Sequence, residues 1–126
     1  MVDSILGVHE AALLFKARRM EVLATNLANA DTPQYKARDM EFKDVLDGMR
    51  VAPVATHARH LRTAPPAGGE ALKFRVPHQP AVDGNTVESD LELARYTENA
   101  VGYQASLMFI NGRIATLRAA LTGARG

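Results

Sequence analysis

The sequence has no cysteine and almost no net charge: its 126 residues sum to a formal +1. Without cysteine there is no disulfide framework and no thiolate chemistry. That suits the cytosol and equally an exported chain that must travel unfolded and uncrosslinked. Charges balance regionally as well. Lys16, Arg18 and Arg19 stand against Asp3, Glu10 and Glu21 in residues 1–30. Arg59, Arg62, Lys73 and Arg75 make the middle mildly basic and read as a solvated loop. No basic stripe for nucleic acid or polybasic patch for a membrane results, so no nucleic-acid partner is expected. No apolar run approaches the ~20 residues that span a bilayer. The opening stretch, MVDSILGVHEAALLFKARRM, lacks a basic start and a small-residue cleavage site, and His9, Glu10 and Lys16 interrupt it. Any passage out of the cytoplasm is therefore expected to need no cleaved leader.

Chemical signatures are scarce too. Ser, His and Asp occur, but no G-x-S-x-G elbow frames them, and there is no P-loop or dinucleotide glycine pattern. His57 and His60 have a spacing that ligates metal on a helix. They fall in a loop with no nearby Cys and no acid between Thr56 and Pro65, which reads as solvated. The expectation is no catalytic residue, no cofactor, no metal and no small-molecule substrate.

What the chain does have is a pair of apolar heptad seams, one at each end. Leu6, Leu13, Met20 and Leu27 recur every seventh residue. Near the other end Leu93, Ala100, Leu107, Ile114 and Leu121 do the same, accompanied by Tyr96, Tyr103, Ile110 and Leu117. This is the pattern of helices that pack lengthwise on other helices. Apolar residues also fall off the seams: Ile5, Val8, Leu14, Phe15, Val22 and Leu23 in the first segment, Val101, Met108 and Phe109 in the second. An apolar surface wider than one stripe needs more than one partner helix. The middle of the chain offers none, so neighbouring subunits are expected to cover the remainder. The candidate assembly interface is Leu6, Leu13, Met20, Leu27, Leu93, Leu107, Ile110, Ile114, Leu117 and Leu121.

Punctuation marks the elements. A helix is predicted over 4–30, capped by Asp3 or Ser4, with Asn29 able to take a left-handed cap and Pro33 close behind. Residues 31–40 read as extended or turn, and 41–50 as a short helix closed by Gly48. Five prolines and Gly68-Gly69 break up residues 51–84, where 71–76 alternates like one short strand. Asp83-Gly84-Asn85 is a turn signal. Ser89-Asp90-Leu91-Glu92 matches a capping box, in which Glu92 reaches back to the helix start. The second helix is predicted over 89–122, stopped by Gly123. Gly102 and Gly112 lie inside it, each either a tolerated surface glycine or a place of close helix approach. The fold class is thus all-α: a single domain over 1–126, an antiparallel pair of long terminal helices around an irregular 31–88, completed by neighbouring subunits.

One run is specific. Asn26-Leu27-Ala28-Asn29-Ala30-Asp31-Thr32-Pro33-Gln34-Tyr35 resembles the signature N-x-A-N-x-x-T-P-G-Y of flagellar rod and hook proteins. Its motif residues here are Asn26, Asn29, Thr32, Pro33 and Tyr35. Pro33 pushes Thr32 to extended geometry, and Tyr35 is placed to fold back onto the helix end. Gln34 stands where Gly is usual. A type II turn needs positive φ at that position, so Gln predicts a type I turn or modest strain. Asp83-Gly84-Asn85-Thr86-Val87, the run from Glu98 to Leu107 and Phe109-Ile110-Asn111-Gly112-Arg113-Ile114 narrow the resemblance to the proximal-rod proteins of the bacterial flagellar basal body. The chain's length fits, since rod subunits with large outer domains are longer.

The resemblance implies a structural, non-enzymatic subunit, exported by the flagellar type III apparatus and placed in the periplasmic rod. Implied partners are copies of itself, other rod proteins, the basal-body adaptor FliE and the flagellar export gate. Early export substrates carry a Phe-x-x-x-apolar element, which Phe42 and Leu46 match here; that spacing is also ordinary helix-core spacing. The competing expectation is a soluble coiled-coil adaptor or export chaperone. Such a protein has no need of the Asn-Ala-Asn…Thr-Pro…Tyr helix stop.

Overall fold

The computed structural model describes residues 2–44, 46 and 72–123, with side chains from Val8 onward. His57, His60, Gly48 and the side chain of Leu6 lie outside the described residues. Two long helices dominate: α1, Val2–Ala28, and α2, Ser89–Gly123. At 1.5 Å per residue they are about 40 and 50 Å long. Between them lie β1, Arg38–Met40, and β2, Leu72–Phe74, which pair antiparallel with Arg38 opposite Phe74 and Met40 opposite Leu72. Residues 42–44 are helical. The chain is therefore all-α with one small ribbon, as its sequence predicts.

The helices run antiparallel, and three contacts set their register. His9 and Phe109 rings lie 4.4 Å apart. Asn99 Nδ2 donates to Lys16 O at 2.7 Å. Asn26 Nδ2 donates to Glu92 Oε1 at 2.7 Å. Gly102 faces Lys16 so closely that a Cβ there would stand 2.7 Å from Lys16 Nζ. The lysine stem lies where other residues carry a side chain. Gly112, by contrast, faces open space. The two interior glycines of α2 thus have different reasons to exist.

The face that pairs within the chain is not the heptad seam. Ala11, Phe15 and Leu23 of α1 are buried, together with Ala37 just before β1 and Met40 within it. Phe15 and Leu23 are off-seam residues, whereas Leu13, Met20 and Leu27 are half-buried. On α2 the fully covered residues are polar, Glu92 and Asn99, seven apart. Leu107, Ile110 and Ile114 are half-buried. Leu93, Leu117 and Leu121 are exposed, as are Val8, Leu14, Val101, Met108 and Phe109. Each large apolar side chain left in water forgoes about 1.5–3 kcal/mol of burial. The single chain is a hairpin with a thin core and an apolar exterior.

Candidate functional site

The end of α1 is built by side chains. Asn29 donates from Nδ2 to Thr25 O at 2.8 Å, and Thr32 Oγ1 donates to Asn29 Oδ1 at 3.1 Å. Asn29 does not adopt the left-handed cap that its position suggests. Among the described residues Gln34 is the one non-glycine with positive φ, at 60°. Tyr35 N donates to Thr32 O at 3.3 Å across Pro33 and Gln34. That is a type II turn with glutamine in the glycine position, the strained alternative and not type I. Strain persists where the surroundings over-determine the backbone. They do here: Gln34 N donates to Asp83 O, and Thr86 N to Tyr35 O, each at 3.0 Å. Ala37 N donates to Thr86 Oγ1 at 2.7 Å. Residues 34–37 are laced to 83–86.

Asn85 is the knot of that lacing. Nearly fully buried, it directs Nδ2 at the carbonyls of Asn29, Ala30 and Thr32, at 3.0, 2.7 and 2.9 Å. Its Oδ1 accepts from Val87 N at 2.7 Å. Carbonyls left over at a helix end need donors. Here a residue 55 positions away supplies one.

Deeper in, four charges alternate in sign. Arg19 donates to both oxygens of Asp39, Nε to Oδ1 at 2.8 Å and Nη2 to Oδ2 at 3.0 Å. Arg75 Nη2 donates to Asp39 Oδ2 at 2.7 Å, and its Nη1 donates to Glu92 Oε2. Glu92 is fully buried. Asn26, also fully buried, completes the set: Nδ2 serves both Glu92 and Arg38 O, while Oδ1 accepts from Arg38 N at 3.1 Å and Tyr35 Oη at 3.3 Å. Burial acts to raise the Asp39 carboxyl pKa. The hydrogen bonds from Arg19, Met40 N–H and Arg75 outweigh it and hold the value at about 2. Asp39 in turn raises the Arg19 pKa through its hydrogen bonds. Paired and hydrogen-bonded on every side, these charges avoid the heavy cost of isolated burial.

This cluster brings the motif residues Asn26, Asn29, Thr32 and Tyr35 together at the closed end of the hairpin, with Pro33 exposed on the turn. It also corrects two readings. Glu92 does not reach back to its own helix start. The Glu92 amide donates to Glu88 O, while its carboxylate crosses to Asn26 and Arg75. Arg75 is not a solvated loop cation, since its side chain is 12% exposed inside the cluster. Lys73 does remain on the surface, paired with Glu41 and Asp44. Arg19, Asp39, Arg75 and Asn85 have no signal in the linear sequence as partners. Only the apolar flanks of Glu92, Leu91 and Leu93, hint that it is covered.

Phe42 stands apart from the assembly seam. Its ring centroid is 5.2 Å from that of the buried Phe15, and Leu46 is half-buried. An open groove of about 220 Å³ between α1 and β1 is lined by Glu21, Val22, Thr25, Asn26, Tyr35, Arg38 and Leu72. Among the described residues no group of three or more His, Cys, Asp or Glu is placed to hold a metal ion, and no helix is long and apolar enough to cross a membrane.

A hairpin whose closed end is locked by buried polar side chains, and whose long apolar faces are left open, is the architecture of an assembly subunit. Comparison with known proteins gives the family. Residues 6–36 match the family model described as flagella basal body rod protein. The Cereibacter sphaeroides flagellar basal body rod protein FlgB is 43% identical over 126 aligned residues, covering 94% of each chain. The FlgB proteins of Proteus mirabilis and Escherichia coli are 39% and 40% identical, over 95% and 90% of this chain. The chain belongs to the flagellar basal body rod protein family and is of the FlgB type.

Proposed function

We propose that this protein is a structural subunit of the proximal rod of the bacterial flagellar basal body, a role in assembly with no catalysis. The observation that carries this is likeness at about 40% identity along nearly the whole length of several rod proteins. The apolar side chains left exposed on both helices, Leu93, Leu117 and Leu121 of the seam among them, support it, because helices with uncovered apolar faces need neighbours. The subunit joins the membrane-embedded base, with its adaptor FliE and export gate, to the next rod protein. It reaches that place through the flagellar export apparatus. Leu6, Leu13, Met20, Leu27, Leu93, Leu107, Ile110, Ile114, Leu117 and Leu121 form the assembly interface, and Phe42 and Leu46 form the element read at the gate.

Complementation of a strain lacking the gene tests this reading. Leu107→Asp or Ile114→Asp buries an unpaired carboxylate at every interface between copies, a cost of several kcal/mol each. Motility should vanish, while secreted subunit, measured in a strain that cannot build past the rod, stays near the native level. Normal swimming with either variant would overturn the interface assignment. Phe42→Ala should reduce secretion. Secretion at the native level with failed assembly would make Phe42 a packing residue only, which its contact with Phe15 equips it to be.

A further inference from the structure

Heptad seams are degenerate. An apolar stripe repeating every seventh residue matches an equally apolar partner after a slip of seven, and it does not distinguish the α2 of its own chain from that of another copy. Something other than the seams must choose. Buried polar groups can make that choice, because they are satisfied in one alignment and stranded in the others.

The pairing face of α2 carries such groups. Glu92 is fully buried, Asn99 is nearly so, and one turn further on Gly102 admits the stem of Lys16. Their partners all belong to the other half of the fold. Asn26 and Lys16 sit on α1. Arg75 follows β2, and its N–H donates to Ala37 O at 2.9 Å. Its guanidinium is tied through Asp39 to Arg19 of α1. The α1–ribbon unit therefore presents a preassembled socket, a guanidinium and an amide held in place by further bonds, and α2 inserts one carboxylate into it. A slip of one heptad in one direction carries Phe109 to the place of Gly102, where the lysine stem lies. In the other direction it carries Arg95 there. Either slip takes the Glu92 carboxylate out of the socket.

We infer that Glu92 is the specificity-determining residue of helix pairing in this protein, seated by Arg75 and Asn26 so that α1 accepts an α2 helix in one register only. The seams then remain free for neighbouring subunits, because pairing within the hairpin is decided at its polar end. The inference concerns the chain's own helices and stands whether or not the assembly they enter is the rod.

The absence of cysteine allows a clean test. Ala24→Cys and Ala115→Cys place spin labels at exposed positions of α1 and α2. Their separation is read by pulsed electron–electron double resonance on the full chain, diluted with unlabelled protein to a total concentration at which circular dichroism shows both helices formed. A slip of one heptad displaces one helix by about 10 Å along the other. With the native Glu92 a single narrow distance is expected. Glu92→Leu leaves Arg75 with Asp39 and Asn26 with Arg38, so no charge is orphaned. It should add a population displaced by about 10 Å, or remove the intrachain distance by exchange with unlabelled copies. Glu92→Gln, which keeps an acceptor for Asn26, should retain the native distance as the main population and serves if Glu92→Leu does not fold. In that case a single distance for Glu92→Gln, together with displaced distances for Asn26→Leu, supports the assignment. An unaltered single distance in folded Glu92→Leu, or in both Asn26→Leu and Glu92→Gln, overturns it. So does a native sequence that already shows two registers.

Discussion

Gln34 holds φ at 60° because the chain on both sides of it is committed. Pro33 precedes it, and Asp83 O captures its amide. A left-handed conformation costs a residue with a Cβ roughly 1–2 kcal/mol, and glycine escapes that cost at some expense in unfolded-state entropy. Gln34→Gly should therefore stabilise the protein by about 1 kcal/mol in chemical denaturation, without altering its fold. Asp39 carries a different signature. Its folded pKa lies at about 2, below the ordinary 3.8. A depressed carboxyl contributes stability that is complete above its unfolded pKa and lost as pH falls through the folded one. Denaturation midpoints should thus decline between about pH 4 and pH 2, with about 2 kcal/mol attached to this one group. Asp39→Asn should be less stable at neutral pH and should lose that part of the slope.

At the scale of elements, α2 is a long helix with two interior glycines, each costing about 1 kcal/mol against alanine. Their surroundings separate them. Gly112 meets nothing within 4 Å in the single chain, so Gly112→Ala should raise the helix content of the isolated protein by circular dichroism. Gly102→Ala puts a methyl against the end of Lys16, which must move aside, so its gain should be smaller or absent. If Gly112→Ala also impairs rod assembly, as scored by motility, the open space beside Gly112 is occupied by a neighbour in the assembly. The ribbon has a comparable economy. Its three residues per strand are too few to stand alone. They persist because Asp39, in the middle of β1, and Arg75, just after β2, share a carboxylate–guanidinium bond under α1.

For the whole molecule, the balance between covered and uncovered apolar surface decides behaviour. Five apolar side chains are buried among the described residues, while eight large ones on the two helices stay exposed. Isolated helices gain little from propensity alone, and tertiary packing supplies most of their stability. A dilute monomer should accordingly show much less helix by circular dichroism than the assembled form, with the gain appearing as concentration rises. A sharp, fully helical two-state transition in the dilute monomer would contradict this.

Much of this protein is legible along the chain. Both helices, the start of α2, the short strand within 71–76, the turn at Asp83-Gly84-Asn85 and the meeting of Asn26, Asn29 and Tyr35 at the helix stop rest on local signals, whereas α1 begins at Val2 and takes Asp3 and Ser4, its expected caps, into the helix. These are periodicity, caps, prolines and one contiguous motif, each spanning a few turns of backbone. What only the tertiary structure decided is which faces meet. The seams look like the natural pairing surface, yet Phe15 and Leu23 form the intrachain core and α2 contributes Glu92 and Asn99. Glu92 three residues after a serine looks the same in sequence whether it caps its own helix or crosses to Asn26, 66 positions away. Arg75 likewise reads as one more loop cation until Asp39 and Glu92 are brought around it. A buried ion pair is defined by burial and by a distant partner, and neither leaves a local pattern. The apolar repeat specifies that helices form and associate; the polar contacts between distant segments specify how.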